Sequence, residues 1–361
     1  MASNIKKTVD SQLEQRVNDA QILFDEADDV PVEEEPYTEK IGLYLLSPSG
    51  ALAEPKRIQI AQKKLNSLGF DVQVDKAAAG KHLRFAGTDE ERSKAFTRAV
   101  KSNAQVVMAT RGGYGLSRIL PYIDWKLLEK NPKTYVGYSD FTAFNLALLA
   151  KTGLPSYTGP HAVGDFGADQ VDDLIADIFV ESMRGELEVL SFETKDADAV
   201  DAEGTLWGGN LAMIASLIGT PFFPKIKKGI LFLEDVGEHP YRIERSLTQL
   251  LHAGILEKQK AIVLGDFTDY KLSKNDNGYN MTEVIRWLRS EVKVPVITGL
   301  PYGHGEMRVT LPIGKKVGIA TEEGMAYLVL DKHDHDHHHH DEHHDKEHHG
   351  DKKKRKKHKK D

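Results

Sequence analysis

The sequence predicts an α/β protein in two parts: a parallel-sheet α/β domain, then a smaller mixed α/β domain rich in β-strands. Three observations carry this. Short apolar runs alternate with stretches of helical period through the first half. Short strand-like runs then bunch towards residue 330. The length, 361 residues, suits two domains rather than one.

Residues 41–47 (IGLYLLS) are a short apolar run and read as a buried strand. Residues 55–69 place Ile58, Leu65 and Leu68 at helical spacing, with Gly69 as a stop. Residues 70–74 read as a strand. Thr88 with Glu91 forms a capping box that opens a helix through Phe96 and Val100. Residues 105–110 and 134–138 read as strands, and 141–151 as a helix. Strands joined by helices give a mainly parallel sheet covered on both faces. Functional loops of such sheets gather at the C-terminal strand ends. Three loops meet that condition: 47–50, 111–115 and 138–140.

This first domain spans 38–165. Residues 166–200 are acidic and polar, with one helical stretch from 171 to 183, and read as a connection. The second domain, 201–330, opens on the glycine-rich run Trp207, Gly208, Gly209, Asn210. A strand at 229–233, a helix at 241–253, a strand at 261–267 and a helix at 281–291 follow. Short strands come last, at 294–298, 308–313, 316–320 and 325–330.

Composition excludes several classes. There are no cysteines, hence no disulfides, thiolate metal sites or cysteine nucleophile. No run approaches 18 apolar residues, so no membrane span is expected. The first residues lack an apolar signal core, and cytoplasm is the expected location. The net charge of −7 sits almost wholly at the ends. Residues 1–37 hold ten acidic and three basic side chains, and the near-neutral body implies no nucleic-acid partner.

The ends read as appendages. Leu13, Val17, Ile22, Leu23 and Phe24 hint at a short amphipathic helix in an acidic N-terminal extension. Residues 331–361 mix His with Asp and Glu and close on a Lys/Arg run. Such a tail has no apolar residue to bury and is expected to be disordered. Its His335, His337, His338, His339 and His340 suit weak binding of Zn²⁺, Ni²⁺ or Cu²⁺.

Five histidines lie outside the tail. No metal-ligand spacing links them, so no metal or cofactor is expected in the body. His252 ends a helical pattern and reads as structural, and His82 reads as exposed. His161 and His239 each adjoin a proline in a loop and are site candidates. His304 lies in GLPYGHG, residues 299–305, a glycine-held loop just after a strand.

Ser139 follows a strand and precedes a helix, with Gly137 two residues before it. That is half of a nucleophile elbow, whose second glycine is replaced by Phe141. Ser139 or Asp140 equally suits a helix N-cap. The glycines of 111–115 (RGGYG) let backbone N–H groups converge on a phosphate or an oxyanion, or simply make a tight turn. Glu234 ends an apolar strand, where a carboxylate can orient an imidazole; Glu238 competes with it, and a surface acid is the plain alternative.

Taken together, these stretches resemble the bacterial LD-carboxypeptidases, serine peptidases of peptidoglycan recycling. The matching segments are RGGYGLSRIL at 111–120, DW at 124–125, GYSDFTA at 137–143 and SYTGP at 156–160. They continue with EGTLWGGNLAMIASLIGTPFFPK at 203–225, GILFLEDVGEHPYRIER at 229–245, and HAGIL and LGDF within 252–267. The last is ITGLPYGHGEMRVTLPIG at 297–314. The resemblance covers about 40–330 and leaves out both extensions.

The resemblance implies Ser139 as nucleophile, His304 as its base and Glu234 as the orienting acid. It implies backbone N–H groups of Gly113 and Asp140 as an oxyanion hole, with Arg111 a candidate for the substrate carboxylate. It implies a first domain of glutamine-amidotransferase or flavodoxin-like kind, a homodimer, and no cofactor. The implied reaction cleaves the meso-diaminopimelate–D-Ala bond of a murein tetrapeptide or muropeptide. Rival readings are a microcin-immunity type peptidase of the same superfamily, a metal-binding protein acting through its tail, and a nucleotide-binding protein using the Arg111 loop.

Overall fold

Strands buried on both faces need continuous apolar runs rather than alternation. β1 (Ile41–Leu46) is such a run, and its Leu43, Leu45 and Leu46 are wholly buried. Each contributes about 1.5–3 kcal/mol through burial. In the computed structural model, which describes residues 39–330, β1 leads to α1 (Arg57–Ser67), β2 (Phe70–Val74) and α2 (Asp89–Lys101). Thr88 caps α2 as expected, its Oγ1 accepting the Glu91 N–H while Glu91 accepts the Thr88 N–H. Then come β3 (Val106–Ala109), the short α3 (Leu116–Ile119) and α4 (Trp125–Lys130), β4 (Thr134–Val136), α5 (Thr142–Thr152) and β5 (Ser156–Thr158).

These five strands are parallel, in the order β5-β4-β3-β1-β2. That is the flavodoxin-like order, which reverses direction between β1 and β3. A crevice opens at such a reversal, beyond the carboxyl ends of the strands. The loops that border it here are 47–50 and 111–115.

The second half continues with α6 (Asp173–Arg184), β6 (Val189–Glu193), β7 (Asp201–Asn210), α7 (Leu211–Leu217), β8 (Ile230–Val236), α8 (Pro240–His252) and β9 (Ala261–Thr268). It ends with α9 (Met281–Glu291), β10 (Val296–Thr298), β11 (Leu311–Ile313), β12 (Lys316–Glu322) and β13 (Met325–Val329). A second sheet runs β10-β9-β8-β7-β12-β13-β6. Its β7 to β10 are parallel and its remaining pairings antiparallel.

Two segments depart from the expected layout. Residues 166–200 are more than a connection. α6 packs Ala176, Phe179 and Val180 into the core under the first sheet, with the Phe179 and Phe70 rings 5.4 Å apart. β6 is an edge strand of the second sheet, paired with β13. Conversely, β11 leaves the second half and pairs antiparallel with β5 at the edge of the first sheet. The glycine-rich run at 207–210 is the end of β7. Gly208 has φ +148°, and a Cβ there would lie 1.9 Å from the Phe232 carbonyl oxygen on β8.

No helix among the described residues is long and apolar enough to cross a membrane. The N-terminal amphipathic pattern and the tail histidines lie outside the described residues. The Gly208 contact generates a test. Gly208→Ala is expected to lose more than about 2 kcal/mol of stability, because neither backbone can retreat from inside a sheet. Urea unfolding of the parent and the variant measures it, and equal midpoints would show that the close approach is dispensable.

Candidate active site

Ser139 lies in the left-handed region at φ +61°, unusual for a residue with a side chain. It opens a single 3-10 turn, Ser139–Phe141, that runs into α5. Neither Ser139 nor Asp140 caps this helix through its side chain. Asp140 Oδ2 instead accepts the Leu116 N–H at the start of α3, at 2.9 Å. The elbow lacks its second glycine because Phe141 is wholly buried in the core. Room comes from across the cleft: a Cβ on Gly112 would lie 2.9 Å from Ser139 Oγ.

The three expected loops do meet. The Gly50 N–H donates to the Gly112 carbonyl at 3.1 Å. Arg111 Nη1 donates to the Ala51 carbonyl at 2.8 Å. Buried Arg92 joins the Pro48 and Gly115 carbonyls, at 2.6 and 2.9 Å. Asp140 occupies the N-terminus of α3, directly after the 111–115 loop. The N–H groups of Gly113 and Asp140 find no acceptor among the described residues.

Glu234 is wholly buried near the end of β8, where the register with β9 shifts between Leu233 and Asp235. Such an irregularity re-aims side chains, and here both Glu234 and Asp235 turn inward. His304 Nδ1 lies 2.8 Å from Glu234 Oε2. A carboxylate only accepts, so Nδ1 carries the proton and Nε2 is left as a base. Glu238, the competing acid, pairs with Arg242 at 3.6 Å instead.

Asn210, at the end of β7, splits its amide between Glu234 Oε1 at 3.1 Å and Asp235 Oδ1 at 3.0 Å. Burial, with the Glu234 charge beside it, pushes the Asp235 carboxyl up to about 6. The Asn210 N–H donates to Thr142 Oγ1 at 3.1 Å. Asn210 carried no functional signal beyond its place after two glycines, and its role became visible only through space.

Tyr138 precedes Ser139, and its ring lies 4.2 Å from the His161 ring and 5.0 Å from the His304 ring. The Tyr138 N–H donates to His161 Nε2 at 3.2 Å. His161 is thus brought to the site, as second-rank sequence evidence allowed. His239 is not: it caps α8 and pairs with Asp276 at 3.2 Å. His82 and His252 are exposed, the latter at the C-terminal end of α8. A cleft of about 520 Å³ is lined by Ser139, His304, Arg111, Gly113 and His161, among others.

Residues 43–159 match the LD-carboxypeptidase N-terminal domain, and residues 203–319 the LD-carboxypeptidase C-terminal domain. A probable murein peptide carboxypeptidase of Bacillus subtilis (strain 168) is 33% identical over 76% of this chain and 88% of its own. The chain belongs to the LD-carboxypeptidase family. It is a serine-type carboxypeptidase of that family.

This LD-carboxypeptidase is also similar to a murein tetrapeptide carboxypeptidase of Pseudomonas aeruginosa, 30% identical over 75% of this chain and 90% of the other. The crystal structure of muramoyltetrapeptide carboxypeptidase from Oxalobacter formigenes superposes with a TM-score of 0.75. It is 43% identical and covers 80% of this chain and 97% of that one. A microcin C7 self immunity protein shares the fold alone, with a TM-score of 0.74 at 24% identity over 84% of this chain and 99% of the other.

In this family member His161 yields a pH test. Burial, and then the neighbouring Arg308 and His304, hold its imidazole well below the ordinary 6.5. Below that pH the unfolded chain takes up a proton that the folded one refuses, so stability falls as pH drops. This one group is expected to remove about 1.4 kcal/mol per pH unit below about 6.5. In His161→Gln the amide oxygen can still accept the Tyr138 N–H, and this component disappears. Urea unfolding at about pH 7.5 and about pH 5.5 compares the two. Equal losses in parent and variant would contradict the assignment.

Proposed function

We propose that this protein removes the terminal D-alanine from murein tetrapeptides by hydrolysing the bond to the L-centre of meso-diaminopimelate. The observation that carries the reading is the 2.8 Å contact between His304 Nδ1 and buried Glu234, in a cleft that Ser139 also lines. Family membership supports the substrate class, since relatives carry murein peptide names.

Each step has a group suited to it. Ser139 Oγ attacks the peptide carbonyl while His304 Nε2 takes the hydroxyl proton. Glu234 accepts from Nδ1 and stabilises the imidazolium that forms. The carbonyl oxygen gains negative charge, for which the N–H groups of Gly113 and Asp140 are the donors proposed here. His304 returns the proton to the leaving amine of D-alanine. Water, deprotonated by the same imidazole, then releases the peptide from Ser139. The substrate ends in a carboxylate; of the two arginines that line the cleft, Arg57 pairs with Glu54 and Asp169, and Arg111 is the candidate to hold it.

The test is D-alanine release from L-Ala-γ-D-Glu-meso-diaminopimelate-D-Ala, followed by mass spectrometry in the presence of EDTA. Ser139→Ala and His304→Ala are each expected to lower kcat by about 10⁶-fold, and Glu234→Gln by about 10⁴-fold. Release by Ser139→Ala at the parent rate would remove Ser139 as nucleophile. Arg111→Met is expected to raise KM by at least about tenfold, through loss of a charge-assisted contact. An unchanged KM would place the carboxylate elsewhere.

A further inference from the structure

His304 sits on a loop, 299–310, that leaves the second sheet and enters the first. Ser139 sits on a turn of the first. Something must hold the loop against the turn. Arg308, almost wholly buried, does three things at once. Its Nε donates to the Gly303 carbonyl, immediately before His304, at 2.9 Å. Its Nη1 forms an ion pair with Asp165, the two side chains being 8% and 11% exposed. Its guanidinium lies 4.1 Å over the ring of Tyr138, the residue before Ser139. Asp165 Oδ2 in turn accepts the N–H of His161 at 2.7 Å, and His161 accepts the N–H of Tyr138.

The network thus closes a ring from the residue before the nucleophile to the residue before the base. We propose that Arg308 and Asp165 are positioning residues, which set the His304 imidazole in reach of Ser139. Neither touches the reacting atoms. The inference rests on the roles proposed above for Ser139 and His304. A planar fork is what the site needs. A lysine at 308 keeps the charge but cannot hold the Gly303 carbonyl, the Asp165 carboxylate and the Tyr138 ring together.

The experiment compares the parent with Arg308→Lys, Asp165→Asn and the double variant. Each is first checked for cooperative unfolding. Arg308→Lys is expected to lower kcat for D-alanine release about 10²-fold with KM within about threefold, the signature of misplacement rather than lost binding. Asp165→Asn is expected to lose about tenfold, and it stands in should Arg308→Lys fail to fold. The double variant should be no more than about twofold worse than Arg308→Lys, because both act through one contact.

A folded Arg308→Lys with kcat within about threefold of the parent would overturn the proposal, as would a loss carried by KM. If the parent releases no D-alanine, the functional reading fails, and the proposal is then decided by NMR. The low-field Nδ1–H resonance of His304, assigned by its loss in His304→Gln, should exchange with solvent at least about tenfold faster in Arg308→Lys or, failing that, in Asp165→Asn. An unchanged exchange rate would overturn the positioning role by itself.

Discussion

The hydrogen bond from the Asn210 N–H to Thr142 Oγ1 is the contact on which the geometry of the cleft depends. Thr142 stands three residues after Ser139, at the start of α5. Asn210 ends β7, and its side chain holds Glu234, which holds His304. The path from the serine turn through Glu234 to the imidazole therefore crosses between the sheets at this contact, while the Asp165–Arg308 pair makes a second crossing. In energy such a bond contributes only about 1 kcal/mol. Its importance is geometric. The backbones come so close here that a Cβ on Gly209 would lie 2.5 Å from Thr142 Oγ1. The small residues of the run at 207–210 are the price of that approach.

Electrostatics then sharpens what the packing positions. Three carboxyl groups, those of Glu234, Asp235 and Asp266, gather on the side of His304 that faces the second sheet. Burial comes first in raising Asp235 and Asp266, and the charge of Glu234 raises both further. A carboxyl that resists ionisation beside another is the expected response to crowding of like charge. Glu234, wholly buried, has the Asn210 amide and the His304 imidazole as its hydrogen-bond partners. Arg308, paired with Asp165, supplies a cation near these groups and lowers Asp266.

Much of this was legible in the chain. The alternation of apolar runs and helical stretches marked the parallel sheet, and the loops at its carboxyl edge named Ser139 and the 111–115 segment. The GLPYGHG loop named His304. Between Glu234 and Glu238 the residues alone left the choice open; resemblance favoured Glu234, and only the buried contact with His304 distinguishes the two in space. Asn210, Tyr138, Asp165 and Arg308 were not legible as site residues. Each acts through a partner at least 20 residues away, as in the Tyr138–His161 and Arg308–Asp165 contacts. Periodicity and spacing report on neighbours in sequence, not on such pairs. The same limit hid the exchange of strands, because a three-residue edge strand such as β11 carries too few side chains to say which sheet it joins.

That exchange explains how His304, the base proposed here, is placed. β10 belongs to the second sheet and β11 to the first, and the His304 loop is the segment between them. Its ends are thus fixed by two separate hydrogen-bonded ladders, Val296 to Thr298 against β9 and Leu311 to Ile313 against β5. Any slip of one sheet along the other would have to stretch this loop, break the Arg308 contacts at its far end, or part Asn210 from Thr142. The imidazole is held where the two halves of the chain are least free to move apart. A base carried on a loop within either sheet would have needed the packing alone to bring it to Ser139; carried on the crossing, it is tied to the first sheet by the backbone itself.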